Sequence, residues 1–486
     1  MEIIDKDLRS IQETRNLIKA AKKAQAIFKT FSQEKIDQIV KTIADAVAEH
    51  AERLAKLAHE ETGFGKWQDK VIKNQFAGKV VYDSIKDLKT VGIIRDDKEK
   101  RVIEVAVPVG IVAGLVPSTN PTSTTIYKTL ISLKAGNAII FSPHPSAKNC
   151  ILETIQVLQE AAVSAGAPEG IIGCISTPTL QATNELMKHN DVALILATGG
   201  EAMVKAAYSS GTPAIGVGPG NGPAFIEKTA DIPLAVKRII DSKTFDNGVI
   251  CASEQSIVVE KVIKEQVIAE LKKQGGYFLT PEESAKLGGF ILRANGTMNP
   301  QIVGKSAEVL ADLANITIPA GTKVLISEQT TVSKKNPYSR EKLTPILAFY
   351  CEQDWEQVCD RCIELLMNEG KGHTLIIHSN NEEIIKAFAL MKPVSRMLVN
   401  TPGALGGIGA TTGLLPALTL GCGAVGGSST SDNISPLNLF NIKRVAYGIK
   451  EIEDLKGTST QACDTNTLSE ADVENLIKNL LQQLTK

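Results

Sequence analysis

The sequence predicts an α/β protein of two lobes, each built on a parallel sheet. From Gly110 to about Glu227, short aliphatic runs (GIVAGLV, NAIIF, ALILAT, PAFIE) alternate with helical stretches such as NCILETIQVLQEAAVSAG. Continuous apolar strands separated by helices indicate sheets covered on both faces. A second series follows, with QSIVVE, KVLISE, HTLIIHS and SRMLVN as strands and VIKEQVIAELKKQ as a helix. The 486 residues fit this, being about three domain lengths at roughly 150 residues each. The lobe boundary is expected near residues 227–245.

Taken in order, residues 8–62 read as helices. Ser32 is the natural N-cap of the second, Ile36, Ile39, Val40, Ile43, Val47 and Ala51 recur on one face, and Gly63 is the expected stop. The stretch TVGIIRDDKEKRVIEVAVPV has β-branched runs flanking Asp96–Lys100 and predicts a hairpin over about 90–107. Residues 402–436 are rich in Gly, Ser and Thr without helical period, so an extended, turn-rich segment over a cleft is expected. The tail begins with a polar linker, GTSTQACDTNT (457–467). A helix follows with Val473, Leu476, Ile477, Leu480, Leu481 and Leu484 on one stripe, and Ser469 and Asp472 in capping-box spacing. That stripe suits packing on its own chain or a sister subunit, or docking as an encapsulation peptide.

Composition excludes several partners. Lys+Arg number 53 against 54 Asp+Glu, a balance that gives no general grip on nucleic acid or an acidic membrane. Eight scattered cysteines are too few for a disulfide scaffold and fit a reducing cytoplasm. The one CxxC, Cys359 and Cys362, follows a helical period with Trp355, Val358, Leu365 and Leu366, and no second pair completes a zinc site. The six histidines form no metal cluster by spacing; His144 and His373 sit beside turns that could face a cleft. The N-terminus lacks a basic region followed by an apolar core, and no run reaches about 18 apolar residues, so neither a signal peptide nor a membrane span is expected.

Two phosphate-loop signals mislead. Gly421-Cys422-Gly423-Ala424-Val425-Gly426 matches G-x-G-x-x-G, but GSSTSDNISP follows and opens no helix. GVGPGNGP (216–223) also lacks the strand–loop–helix setting, so its glycines suit close backbone approach or left-handed turns. ALILATGGEAMVKAAY is the better candidate: a strand ends in Thr198-Gly199-Gly200, and a helix starts at Glu201, able to offer free N–H groups to a phosphate. Cys251, in FDNGVICASEQS, reads either as a small buried hydrophobe or as a reactive thiol, since Asn247-Gly248 and Ala252-Ser253 form a turn able to expose it at a cleft. Asn120, in the polar turn VPSTNPTSTTIYK, is placed to donate to an oxyanion beside the Cys251 backbone N–H.

The PSTNP turn, ATGGE, FDNGVICASEQ and EKLTP, in that order, resemble the aldehyde dehydrogenase superfamily, and its CoA-acylating branch in particular. The likeness runs from about residue 10 to 450 and leaves out the tail beyond 457. It implies two Rossmann-like lobes with a hairpin oligomerisation element: a nicotinamide-cofactor domain at 1–227, a catalytic domain at 228–425, a return segment at 426–456, and the linker and helix at 457–486. It further implies that Cys251 is the nucleophile and Asn120 the oxyanion-stabilising amide. Thr198, Gly199 and Gly200 then fall on the cofactor pyrophosphate turn, Glu341 holds the nicotinamide ribose, and Pro117 and Ser118 line the same cleft.

Departures from the family pattern refine this. Hydrolytic relatives place a glutamate base where this chain has GVGPGNG, with Val217 nearest, so the implied thioester waits for a better nucleophile than water, namely the thiol of coenzyme A. They also hold the adenosine ribose with a lysine where this chain has Ser142 before Pro143-His144, which leaves NAD against NADP open. Arg340 stands where bifunctional relatives carry histidine, either as a solvated charge or as an anchor for an anionic CoA phosphate or aldehyde. Acetaldehyde is the leading expected substrate and sulfoacetaldehyde its competitor. A CoA-independent aldehyde dehydrogenase and a silent scaffold are the rival readings. The expected setting is a homo-oligomer in the cytoplasm or a bacterial microcompartment, with no metal.

Overall fold

A computed structural model describes residues 5–456 and 469–484. These fall into two compact units: the larger runs to Asn441 except for residues 93–105, and the smaller joins 93–105 to the residues after 441. The linker expected over 457–467, Cys463 within it, and the Leu484 side chain lie outside the described residues.

The first helices, Lys6–Phe28 and Gln33–Thr62, form as their patterns dictate. Ser32 caps the second by accepting from the Lys35 N–H at 3.3 Å, and Gly63 ends it in the left-handed conformation at φ 65°. Its predicted apolar face, Ile36 through Ala51, is buried.

The hairpin expected over 90–107 forms from β1 (Gly92–Asp97) and β2 (Val102–Pro108). Then β3 (Ile111–Val116), β4 (Ala138–Pro143), β5 (Ile172–Cys174), β6 (Val192–Thr198) and β7 (Ala214–Val217) make a parallel five-stranded sheet, ordered β5-β4-β3-β6-β7. A second parallel sheet holds β8 (Gly222–Ile226), β9 (Glu254–Glu260), β10 (Gly276–Phe278), β11 (Val324–Glu328), β12 (Ile346–Glu352), β13 (Gly372–His378) and β14 (Val394–Val399). Its order is β10-β11-β12-β9-β8-β13-β14. Finally β15 (Phe440–Ala446) joins the hairpin in a sheet ordered β1-β2-β15.

One strand changes sides relative to expectation. PAFIE, read as the end of the first lobe, is β8 and pairs with β9 and β13, so the chain crosses between sheets at residues 218–221, ahead of the expected 227–245. A continuous apolar run signals burial on both faces but does not say in which sheet. The cores show why such runs lack alternation. Phe225, Val258, Leu325 and Leu375 pack on one face with Val358, Cys362 and Leu365 of the helix Trp355–Asn368. Their chain neighbours Ala224, Ile257, Ile326 and Ile376 pack on the other with Val236 and Ile239 of the helix Ile232–Thr244. Both faces need apolar side chains, so the period of two disappears.

Residues 402–436 carry one short helix, Gly403–Gly407, and are otherwise turns and brief 3-10 segments; the glycine run ending at Gly426 opens directly into turn and extended chain and not into an α-helix. The tail helix spans Glu470–Leu484, with Ser469 and Asp472 capping each other reciprocally. No helix among the described residues is long and apolar enough to cross a membrane.

Candidate active site

The carboxyl ends of three neighbouring strands of the five-stranded sheet supply one wall of a cavity of about 700 Å³. After β3 come Pro117, Ser118 and Asn120; Ser142 and Pro143 end β4, with His144 next; after β6 come Thr198, Gly199 and Gly200, and all nine line the cavity. A buried lysine holds two of these ends together. Lys128, in the helix Pro121–Lys134, donates to the carbonyls of Leu115 at 2.7 Å and Leu196 at 2.8 Å, and burial lowers its pKa well below the usual lysine range.

The facing wall brings Cys251 and Glu341 to the same cavity. Cys251 follows a tight turn in which Asp246, Asn247 and Gly248 all adopt positive φ, at 48°, 51° and 76°. Two non-glycine residues in that region cost energy and persist only where surroundings hold them. Here the Asn247 amide donates to the Gly304 carbonyl at 2.8 Å, and the Asp246 N–H donates to Asp69 at 2.7 Å. Opposite the cysteine, a Cβ on Gly220 would lie 1.9 Å from the Cys251 carbonyl oxygen, so only glycine fits. The Gly220 N–H then donates to Glu341 Oε1 at 2.7 Å. The glycine run rejected as a phosphate loop therefore serves as the close approach between these two residues.

Burial sets the protonation states. It pushes the Glu341 carboxyl up to about 8, with help from Glu369, against the Gly220 hydrogen bond. The Cys251 thiol is pushed up to about 12, first by burial and then by Glu341, while Arg396 pulls it down. Burial also lowers the His144 imidazole. His373 does not line the cavity; burial, then Arg396, takes it to about 3, so it stays neutral.

Arg340 is the one predicted site residue that the cavity does not gather. Its guanidinium donates to Glu369 Oε1 at 2.7 Å and to the Gly296 carbonyl. The other oxygen of Glu369 accepts the Glu341 N–H at 2.6 Å. Arg340, with 19% of its side chain exposed, thus supports the segment carrying Glu341 through a shared carboxylate.

Other contributors had no sequence signal. Phe64, Met298, Val303 and Leu343 also line the cavity. Lys70 and Lys73, on the helix Trp67–Gln75, are buried beside Asp246 and Asn120. Lysines on a short, polar helix ordinarily read as a solvated face.

The geometry fits a dinucleotide. Gly200 is the N-cap of the helix Glu201–Tyr208 without a side-chain cap, and a Cβ there would meet nothing within 4 Å, so the turn is open to a phosphate. A thiol, an amide donor and a helix N-terminus in one cavity suit a covalent step at a carbonyl carbon. Among the described residues no cluster of His, Cys, Asp or Glu could hold a metal.

Comparison with known proteins bears on this site. The aldehyde dehydrogenase family pattern matches residues 5–352. The chain is similar to a probable aldehyde dehydrogenase from Listeria monocytogenes EGD-e, with 67% identity and a TM-score of 0.92 over 93% of this chain and 100% of that one. An acetylating aldehyde dehydrogenase from Geobacillus thermoglucosidasius shares 55% identity at a TM-score of 0.91, covering 93% of this chain and 99% of that one. The bifunctional aldehyde-alcohol dehydrogenase of Escherichia coli is 46% identical over 442 residues, 90% of this chain and 50% of that protein. The chain thus spans about half the length of the bifunctional relatives it matches.

Proposed function

The chain belongs to the aldehyde dehydrogenase family, and on that premise we propose that it is a CoA-acylating enzyme, turning a short aldehyde, CoA and NAD+ reversibly into acyl-CoA and NADH. The observation that carries this reading is the ionisable lining of the cavity, which among the described residues comprises Cys251, Glu341 and His144 alone. Glu341 is engaged by the Gly220 N–H, and Val217, the nearest position in sequence to the glutamate base of hydrolytic relatives, lines the cavity as an apolar side chain. A thioester on Cys251 is therefore left for a thiol, which needs far less activation than water.

In this mechanism the Cys251 thiolate attacks the aldehyde carbon, and Asn120 Nδ2 with the Cys251 backbone N–H holds the oxygen that becomes negative. NAD, when bound, supplies the acceptor for the departing hydride. The Thr198-Gly199-Gly200 turn would hold its pyrophosphate and Glu341 the nicotinamide ribose, with Pro117 and Ser118 along the cleft and Ser142, Pro143 and His144 toward the adenosine. The acyl group stays on Cys251 until the CoA thiol takes it and frees the cysteine. In domain terms the five-stranded half is the cofactor region and the seven-stranded half the catalytic one.

Among the described residues, no lysine or arginine lines the cavity. That favours acetaldehyde or a similar uncharged aldehyde over sulfoacetaldehyde, whose sulfonate would find no cation, and NAD over NADP for the same reason. The smaller unit exposes Ile442, Val445, Tyr447 and Ile449 and is assigned to homo-oligomer contacts. The tail helix exposes Val473, Leu476, Ile477 and Leu480 and is assigned to docking, within the cytoplasm or a microcompartment. The test is NADH formation from acetaldehyde and NAD+ with and without CoA: sustained turnover should require CoA, and equal turnover without it would overturn the acylating reading.

A further inference from the structure

The helix Trp67–Gln75 buries polar side chains, Lys70, Lys73 and Asn74, where a packed helix normally buries apolar ones. Each has a use. Asn74 donates to the Ala51 carbonyl at 3.0 Å and accepts from Thr122 at 2.8 Å, anchoring the helix to its neighbours. The two lysines converge on one carboxylate oxygen: Lys70 Nζ lies 3.0 Å from Asp246 Oδ2, and Lys73 Nζ also donates to it. Asp246 Oδ1 accepts the Lys66 N–H at 2.7 Å, and a Cβ on Gly65 would sit 1.8 Å from that oxygen. The carboxylate is therefore buried and held by three donors.

From this anchor both lysines reach the turn after β3. Lys70 Nζ donates to the Thr119 carbonyl at 3.3 Å, and Lys73 Nζ donates to Asn120 Oδ1 at 2.5 Å. An ammonium has only donors, so the Asn120 atom facing it must be the amide oxygen. On the other side Asn120 Nδ2 donates to the Val249 carbonyl at 3.2 Å, two residues before Cys251, and a carbonyl only accepts. The amide thus has a single orientation, with its NH2 group toward the cysteine segment. Its second hydrogen reaches the Thr119 hydroxyl at 3.2 Å, a partner able to rotate away when a stronger acceptor arrives.

We propose that Lys73 is a positioning residue for the oxyanion site: held by Asp246, it fixes the Asn120 amide so that Nδ2 faces the aldehyde oxygen that becomes negative as Cys251 attacks. This rests on the acylating reading above and deepens it. The role is structural logic as well as electrostatics. Asp246 lies five residues before Cys251, so one carboxylate ties the turn carrying the donor to the turn carrying the nucleophile. Without the ammonium, the amide is free to flip and present its oxygen, which would repel the developing charge.

The test is a double-mutant cycle on the full chain with Lys73→Met, Asn120→Ala and the pair, reading kcat and the KM for NAD. Lys73→Met leaves Lys70 paired with Asp246, so the buried carboxylate keeps a counter-charge. Lys73→Met is expected to lower kcat on the order of tenfold to a hundredfold with KM for NAD unchanged, less than the full loss of a donor. In the Asn120→Ala background the same substitution should cost almost nothing further, because the group it orients is gone. Lys73→Gln, which keeps one donor for Asn120 Oδ1, should recover part of the rate and serves in place of Lys73→Met if that chain does not fold. Equal losses in both backgrounds, or a normal kcat in Lys73→Met, would overturn the positioning role while leaving the acylating mechanism standing. A normal kcat in Asn120→Ala alone would instead remove the oxyanion assignment, and this inference with it.

Discussion

The two parallel sheets approach the cavity from opposite ends. The five-stranded sheet meets it at the carboxyl ends of β3, β4 and β6, where turns lead into helix N-termini and offer backbone N–H groups. The seven-stranded sheet meets it at amino ends: Cys251 lies three residues ahead of β9, and Glu341 five ahead of β12. Carboxyl ends suit binding of phosphates by small residues. Amino ends carry individual side chains, and these need buried props. Lys243 donates to Gln255 and to the Lys342 carbonyl at 2.9 and 2.8 Å, and Glu369 holds the Glu341 N–H. On the proposed reading, the half assigned to the cofactor depends on backbone shape, with the Asn120 side chain as its exception, whereas the half carrying Cys251 depends on placed side chains and their supports.

The sharpest break falls on the reactive half. Cys251→Ala should abolish acyl-CoA formation while NAD still binds, measured by NADH production beside fluorescence titration of the cofactor. Next, Asn120→Ala, which removes the one side chain that the five-stranded half lends to the reaction, should slow turnover about a hundredfold, roughly 3 kcal/mol of transition-state stabilisation, with KM for NAD little changed. Gly220→Ala tests the contact between the halves of the reactive pair. Its new methyl would meet the Cys251 carbonyl, so the variant should lose activity and unfold about 1–3 kcal/mol more easily in a denaturant titration.

Smaller effects should follow at the supports. Arg340→Ala frees Glu369, which also holds the Glu341 backbone; the KM for NAD should rise roughly fivefold, about 1 kcal/mol, with aldehyde preference unchanged. A selective loss of sulfoacetaldehyde turnover in that variant would instead make Arg340 an anion anchor. Glu341→Gln addresses pH. Its folded carboxyl is raised from the ordinary 4.5 to about 8, so between those values the folded state holds a proton that the unfolded state has released. Stability should then fall as pH rises through that window, and the Tm of Glu341→Gln should fall less steeply than that of the wild type. The same substitution removes the second cause of the raised Cys251 thiol, so iodoacetamide should alkylate Cys251 faster at a given pH.

Much of the architecture was legible in the chain because it is local. The Ser32 cap and Gly63 stop, the βα turn at Thr198-Gly199-Gly200 and the 90–107 hairpin depend on neighbours a few residues apart, and each lies where its pattern put it. The string around Cys251 was equally distinct. Three features were not legible. β8 reads like any buried strand, yet its partners were set by the crossover at residues 218–221. The direction of Arg340 depends on Glu369, twenty-nine residues away in sequence. Lys73 sits on a helix whose buried side is polar, which inverts the rule by which a helix face is read.

By itself, then, the sequence determined the α/β class, the helix ends and the βα turn, and it singled out a cysteine and an asparagine that line one cavity. Only the tertiary structure decided which sheet owns each strand, which cations are buried, and which way the Asn120 amide points. The reason is physical. Caps, turns and periodicity are settled within a few residues, whereas a buried charge is tolerable only beside a partner, and that partner is chosen by the packing of distant segments.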